Sequence, residues 1–331
     1  MKTSPFTGGK VVLKTERKEV EFRKSKFEII YHYYVCEDTR EEFTDTQTDE
    51  LNLIQVYNQY REKEGIPFLP EIRDIRQKYG ISAAKMSLIL GFGTNMYAKY
   101  EAGEMPNISN GRMIKGCDDI NTFRNYVLNC TDIDEKDRSR ILKNIDKIPL
   151  PYNKFAEDWL AKMLFDWNNS GKENGYTGLS LDKAKQVILF FADLCKPFTT
   201  KMNKLLFFSD FLHYKRFGYS ITGLNYIAID KGPVPKRYST LYDQTEIICK
   251  EEIIFSNGSS GEQLVPKKEN VFDHTLFSDS EISVLEEVGT KLKDMTTNDV
   301  VALSHQEAAW IENEKQHRPI PYDYAFFLKA F

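Results

Sequence analysis

An α+β fold is expected, in three parts: a small N-terminal antiparallel sheet with one helix, an all-α middle, and a mainly helical C-terminal part carrying a β-hairpin. Three observations predict it. Residues 10–36 alternate charged with β-branched and aromatic positions, from Val11 and Leu13 to the Ile- and Tyr-rich 27–35, which is the pattern of half-buried strands. Residues 69–130 break into short segments with apolar residues three and four apart, punctuated by Gly and Pro, hence short helices. Beyond 179, helical patterns over 181–195 and 200–217 precede two polar-alternating segments that flank Asn257-Gly258-Ser259-Ser260-Gly261, a hairpin signal.

Size and composition agree with this division. A chain of 331 residues has room for two or three domains. An aromatic share of 13%, with 18 Tyr and 22 Phe, favours packed cores over disorder. The net charge of −4 gives no global basic field, so any nucleic-acid contact rests on a local patch. Cys36, Cys117, Cys130, Cys195 and Cys249 are widely spaced, with no CxxC pair, which points to reduced thiols and a cytoplasmic protein. Residues 1–10 are polar and show no signal peptide, and the apolar run near 187–191 is too short to span a bilayer.

Taken in order, a helix starts at Thr46 with Leu51, Ile54, Val56 and Tyr57 as its apolar stripe and ends at Gly65 and Pro67. The sheet beneath it draws its core from Phe22, Phe27, Ile29 and Tyr33. Pro70 opens a helix over 71–79, stopped by Gly80. Ser82 caps the next, which buries Met86, Ile89 and Leu90; Gly91 and Gly93 bracket a tight turn; Thr94 caps a further helix that closes at Gly103 before Pro106. Two readings stand for residues 81–106: an ordinary pair of helices, or a DNA-reading helix-turn-helix. In the second, the N-terminal half of the later helix meets base edges. Thr94, Asn95 and Lys99 then face the bases, since Asn pairs with adenine and Lys reaches guanine. Lys85 and Arg112 are the candidates for phosphate contact. Short helices from Ser109 and over 118–128 complete the all-α part.

Charge dominates 131–148, and Pro149 and Pro151 follow, so a joint is expected there. The expected parts are therefore 1–68, 69–130, a charged linker with a connecting helix (155–167) over 131–178, and 179–331. In the last part Leu205, Leu206, Phe208, Phe211 and Leu212 bury one helix face, a strand covers 224–230, and Gly232-Pro233-Val234-Pro235 forms a rigid turn before a helix over 236–242. Lys236, Arg237 and Tyr238 combine cations with an aromatic ring and suit a partner-binding surface. Helices follow from Ser278 or Asp279 to 293 and from Thr297 to 304, with an aromatic tail docked behind them. The histidines, His32, His213, His274, His305 and His317, have no metal-ligand spacing, and no HExxH, P-loop or nucleophile-elbow motif occurs. No catalytic residue, metal or cofactor is expected; Asp210 and His213, three apart on one helix, read as a structural pair.

Two resemblances sharpen these expectations. The run Gly91-Phe-Gly-Thr-Asn95-Met-Tyr-Ala-Lys99-Tyr100-Glu101-Ala-Gly103, with Pro106, resembles the recognition helix of MqsA-type, HigA-like antitoxins. In these a small zinc-binding sheet domain precedes a helix-turn-helix of the XRE class. The resemblance places Asn95 and Lys99 at base-reading positions, with Lys99 where Arg is usual and Ala83 where Gln is frequent. At the zinc knuckles it departs: Ser4-Pro5-Phe6-Thr7 and Cys36-Glu37-Asp38-Thr39 keep one thiol of four ligands, and hydroxyls are poor substitutes for thiolates. A degenerate zinc domain without zinc is therefore expected. The ordered set Lys201-Met-Asn-Lys204-Leu205-Leu206, Gly218, Gly232-Pro233-Val234, Tyr238, Leu303-Ser304-His305 and Trp310 resembles the Panacea, or SocA-like, domain that neutralises toxins in many antitoxins. Together the resemblances imply a homodimeric antitoxin with two partners, operator DNA and a cognate toxin protein. A stand-alone transcription regulator with a ligand-sensing C-terminal domain is the other reading left open.

Overall fold

Strands β1 (Val11–Phe22) and β2 (Ser25–Cys36) form a long antiparallel hairpin, and a short β3 (Glu42–Phe43) pairs with β2 at Tyr34 and Val35. The two turn residues, Arg23 and Lys24, both take positive φ, 48° and 65°, as a two-residue turn that matches strand twist requires. Such residues carry no turn signal in sequence; the Arg23 guanidinium is held by the Pro106 carbonyl at 3.0 Å. The structure, a computed structural model, describes residues 2–148, 159, 163–165 and 170–331, in two compact units, Met1–Trp159 and Leu160–Phe331. The connecting helix expected over 155–167 lies almost wholly outside the described residues.

Helix α1 (Thr46–Glu64) differs from the expected amphipathic helix. Asp45 caps it, and Gly65 ends it in the left-handed region at φ 65°. Its buried face, however, carries Asn52, Gln55 and Asn58, while Leu53 is exposed. The reason lies in the sheet edge. Asn52 accepts from the His32 N–H (2.8 Å) and donates to its carbonyl (2.9 Å); Gln55 does the same for Ile30 (2.9 Å each), and Gln59 donates to the Glu28 carbonyl at 2.8 Å. Side-chain amides thus stand where a neighbouring strand would, and satisfy backbone groups that burial would otherwise leave unpaired. Phe27, Ile29, Val56, Tyr60, Ile66 and Met105 form the core beneath, with Phe22 packed against it. Tyr33, expected there, is half-exposed and stacks on Tyr31 at 5.8 Å.

Short helices follow in this unit: α2 (Leu69–Lys78), α3 (Ala83–Ile89), α4 (Met96–Glu101), α5 (Ile108–Gly116), α6 (Ile120–Asn129) and α7 (Glu135–Lys147). One core joins them, with Ile72, Tyr79, Met86, Tyr97, Ile114, Phe123 and Val127 all buried. The charged stretch expected to be linker is part of it. Asp134 caps α7, and Ile141 and Ile145 enter the same core. Two isoleucines four apart anchor an otherwise charged helix, and so sparse a stripe is hidden by composition.

In the second unit α8 (Leu181–Cys195) and α9 (Thr199–Phe217) lead the fold. Every residue of α9 from Lys201 to Tyr214 is buried, charged ones included, so this helix is a central pillar with no solvent face. Strand β4 (Tyr226–Ile229) pairs antiparallel with β5 (Gly232–Pro235). The Gly-Pro-Val-Pro run is therefore a buried strand and not a turn: Pro233 and Pro235 sit where a two-stranded sheet demands no outward N–H. Helix α10 (Tyr238–Asp243) follows, then the expected hairpin, β6 (Ile248–Ile254) with β7 (Ser260–Pro266). Ser278 caps α11 (Asp279–Leu292) and Thr296, one residue before the expected Thr297, caps α12 (Thr297–Ser304), with α13 (Ala308–Ile311) close behind. The aromatic tail is docked: Tyr322 stacks on Phe211 (4.4 Å), and Lys215 Nζ donates to the carbonyls of Leu328 and Phe331. No helix among the described residues is long and apolar enough to cross a membrane.

Candidate functional site

The α3–α4 pair is built to hold α4 rigidly while leaving its first turn open. The Ser82 hydroxyl caps α3, accepting from the Lys85 N–H at 3.2 Å. Gly91 takes φ 66° after α3, a conformation glycine adopts without steric cost. Ser87 Oγ then accepts from the Tyr97 N–H at 2.9 Å, and the buried Tyr97 hydroxyl reaches the Ile72 carbonyl at 2.8 Å. At the far end Arg73 donates to the Glu101 carbonyl and Arg76 to its carboxylate, at 2.9 and 2.6 Å. Tyr97 and Tyr100 face the core.

Within this frame the sequence-predicted residues sort themselves. Thr94, Asn95 and Lys99 are all exposed. Thr94 is not the cap; Asn95 holds that place, in the left-handed region at φ 60°, and its side chain makes no capping bond. Its amide is thus left outside the helix, one turn from Lys99. Arg112, on α5, is exposed too. Lys85 differs: its ammonium pairs with the Asp137 carboxylate at 2.5 Å, with only 24% of its side chain exposed. Lys85 ties α3 to α7, and hydrogen bonding to it holds the Asp137 carboxyl below its usual value.

A set of cations went unread in the sequence. Lys136, Arg140, Lys143 and Lys147 fall at α7 spacings of four, three and four, and line a recess of about 380 Å³ with Ser139 and Asn144. The buried isoleucines occupy the opposite face of α7, so these cations form a single stripe. The spacing is present in the sequence, but with only two buried isoleucines on the helix the charge dominates the pattern.

The positions expected to align with zinc knuckles also converge. Thr7 Oγ1 lies 3.6 Å from the buried Cys36 sulfur, and the hydroxyls of Ser4 and Thr39 also bond to it, pulling the thiol down to about 6. Such a group supplies one thiolate and neutral oxygens, a donor set ill-suited to tetrahedral zinc. Among the described residues no group of three or more His, Cys, Asp or Glu has metal-binding geometry.

In the second unit, Asp210 and His213 serve separate networks. The Asp210 carboxylate accepts from the N–H groups of Ile221 and Thr222 (2.9 Å each), the Thr222 hydroxyl (2.6 Å) and the Tyr226 hydroxyl (2.7 Å). Burial pushes its carboxyl up, against these four bonds. His213 instead bonds the Tyr219 carbonyl at 2.7 Å, and burial draws it down to about 4. Lys204, fully buried on α9, has an ammonium with no hydrogen-bond partner among the described residues and lies close against Gly232, and burial lowers it to about 7. His305 stacks flat on Trp310 at 3.7 Å.

Of the predicted partner-binding residues, Arg237 is exposed, with φ 60° ahead of α10, while Lys236 and Tyr238 are half-buried, Tyr238 against Tyr242 at 6.2 Å. A cleft of about 530 Å³ opens elsewhere on this unit, lined by Phe198, Thr199, Thr200, Lys231, Phe255 and Thr297, among others. Helix α9 starts there without a side-chain cap.

Residues 202–311 match the family model described as antitoxin SocA-like, Panacea domain. The second unit thus carries a Panacea domain. Its matched span runs from the first turn of α9 to the end of α13 and includes the Asp210 network, Lys204, the buried β4–β5 pair, Lys236 to Tyr238, the β6–β7 hairpin and Trp310. The match does not reach the first unit. No curated protein and no solved structure matches the chain.

Proposed function

We propose that this protein is the antitoxin of a toxin–antitoxin pair: the Panacea domain binds and blocks a toxin protein, and the helical module of the first unit binds operator DNA to repress the shared operon. The match of residues 202–311 to an antitoxin domain carries the reading. A protein interface blocks a toxin without chemistry, and the polar groups buried in this unit fit that role. Asp210, the strongest catalytic candidate by burial, is saturated by four hydrogen bonds. Arg237, with Lys236 and Tyr238, is proposed as part of the toxin contact. The protein would then act in the cytoplasm, without metal or cofactor.

Support for DNA binding is the α4 geometry. A short, tightly anchored helix exposes Thr94 and Asn95 at its start and Lys99 one turn on, and a recognition helix meets base edges with such residues. Arg112 and the α7 stripe supply phosphate contacts, while Lys85, paired with Asp137, braces the module. One helix of this length reads few bases, so a dimer on a two-fold site is part of the proposal.

Binding of the purified protein to DNA from upstream of its own gene tests this half. The Asn95→Ala, Lys99→Ala double variant should lose sequence-specific binding by about tenfold or more, since a good base contact is worth about 1–3 kcal/mol. Equal binding by both proteins would remove α4 as the reader.

A further inference from the structure

The open edge of β1 offers an interface for a second copy of this chain. In an antiparallel pair, directly opposed residues turn their backbone groups either toward each other or both away. Glu28, Ile30 and His32 direct theirs to Gln59, Gln55 and Asn52 of α1. Their opposed residues are Glu19, Arg17 and Thr15. These, with Leu13 and Glu21 in the same alternation, therefore point N–H and C=O groups out of the far edge of the sheet. Among the described residues no named strand lies beyond β1; only Thr3, bridged to Lys10, adjoins the edge, just before its first residue. The edge is long, and most of its side chains are exposed, Val12 and Leu13 among them at 43% and 49%. Unpaired N–H and C=O groups make such an edge a template for another strand, and its charges admit only a strand whose charges oppose them.

We infer that β1 pairs antiparallel with β1 of a second copy, on a two-fold axis through Thr15, joining the two sheets into one. Symmetry and charge select this register. A two-fold axis normal to the sheet must pass through a residue opposed to itself, because neighbouring positions face opposite sides. Centring on Lys14, Glu16, Arg17, Lys18 or Glu19 places like charges against each other at the axis. Centring on Val20 opposes Glu19 to Glu21, and centring on Leu13 leaves only a short overlap. At Thr15 the opposed pairs are Thr15 with Thr15, Lys14 with Glu16 twice, Leu13 with Arg17 and Val12 with Lys18. No like charges meet, and opposed Lys and Glu favour the pairing. Thr15 is also one of the outward-facing residues, so the axis falls on a hydrogen-bonded pair.

This is the interface of the dimer proposed above, and it rests on that reading only for the existence of a dimer. Sedimentation equilibrium of the full-length protein tests it, with circular dichroism to confirm folding. Wild type should be dimeric. Two single variants should each weaken the dimer by about tenfold or more. Thr15→Pro removes an outward N–H without touching the β1–β2 ladder. Glu16→Lys sets the ammonium of Lys14 against a second ammonium, once on each side of the axis. The charge swap Lys14→Glu, Glu16→Lys should restore the dimer. A monomeric wild type, a dimer indifferent to both single variants, or a swap that fails to rescue would overturn the pairing. Operator binding is measured separately: a dimer that behaves as expected but ignores operator DNA would remove the repressor reading and leave the interface standing.

Discussion

Thr7 Oγ1 stands 3.6 Å from the Cys36 sulfur, across the point where the Ser4-to-Thr7 turn meets the end of β2. Thr7 closes one short turn and Cys36 opens another, and the hydroxyls of Ser4 and Thr39, at the other ends of those turns, complete the group around the thiol. Four side chains therefore converge as metal ligands would, with hydrogen bonds in place of a cation. Replacing the three hydroxyls, Ser4→Cys, Thr7→Cys and Thr39→Cys, should create a site for one zinc ion, seen by metal analysis and by the visible spectrum of a tetrahedral cobalt thiolate. A triple variant that folds and binds neither metal would show that the convergence is too loose to be a knuckle.

The amide ladder of α1 makes an unusual demand. Leucine at 52 or 55 would look like an improvement by apolar patterning. Asn52→Leu should instead cost about 1–3 kcal/mol and Gln55→Leu a similar amount, because each strips partners from two buried backbone groups of β2. Urea denaturation measures this. Unchanged or raised stability would mean that the edge of β2 finds other partners.

Lys204 ties stability of the Panacea domain to pH. Its ammonium is drawn down to about 7 from the ordinary 10.5 by burial first and by the charge of Lys231 second. Between those values the unfolded chain holds a proton that the folded one lacks, so stability rises with pH across the window, by about 1.4 kcal/mol per unit at most. Below 7 both states are protonated and the cost of the buried charge is fully felt. Lys204→Met should raise the melting temperature at neutral pH and flatten the dependence between about pH 7 and 10. A slope unchanged by the substitution would assign it to other groups.

The α7 stripe carries a separate expectation. Lys143→Ala should weaken binding to all DNA sequences alike and reduce the log–log salt slope by about 0.9, one phosphate contact's worth. A loss confined to the operator would make Lys143 a base reader.

Much of this architecture was legible in the chain. The short helices from Pro70 to Asn129, the glycine after α3 and the hairpin around Gly258 follow from local signals, because local backbone chemistry decides them. What stayed hidden depends on partners distant in sequence. The Arg23-Lys24 turn lacks turn residues and is held from Pro106. The buried face of α1 is polar because a sheet edge needs its amides. Gly232 to Pro235 looked like a turn and is a strand, since β4 supplies its pairing. At the candidate site the exposed Asn95 and Lys99 could be named from spacing. The capture of Lys85 by Asp137 could not, being a contact between segments 52 residues apart.

Growth of cells expressing the product of the adjacent gene, with and without the full-length protein, tests the assignment as an antitoxin most directly. The neighbouring product should arrest growth, co-expression should restore it, and the Asn95→Ala, Lys99→Ala variant should restore it equally well. Arrest that persists despite ample folded protein, or an adjacent product that is harmless alone, would contradict that assignment.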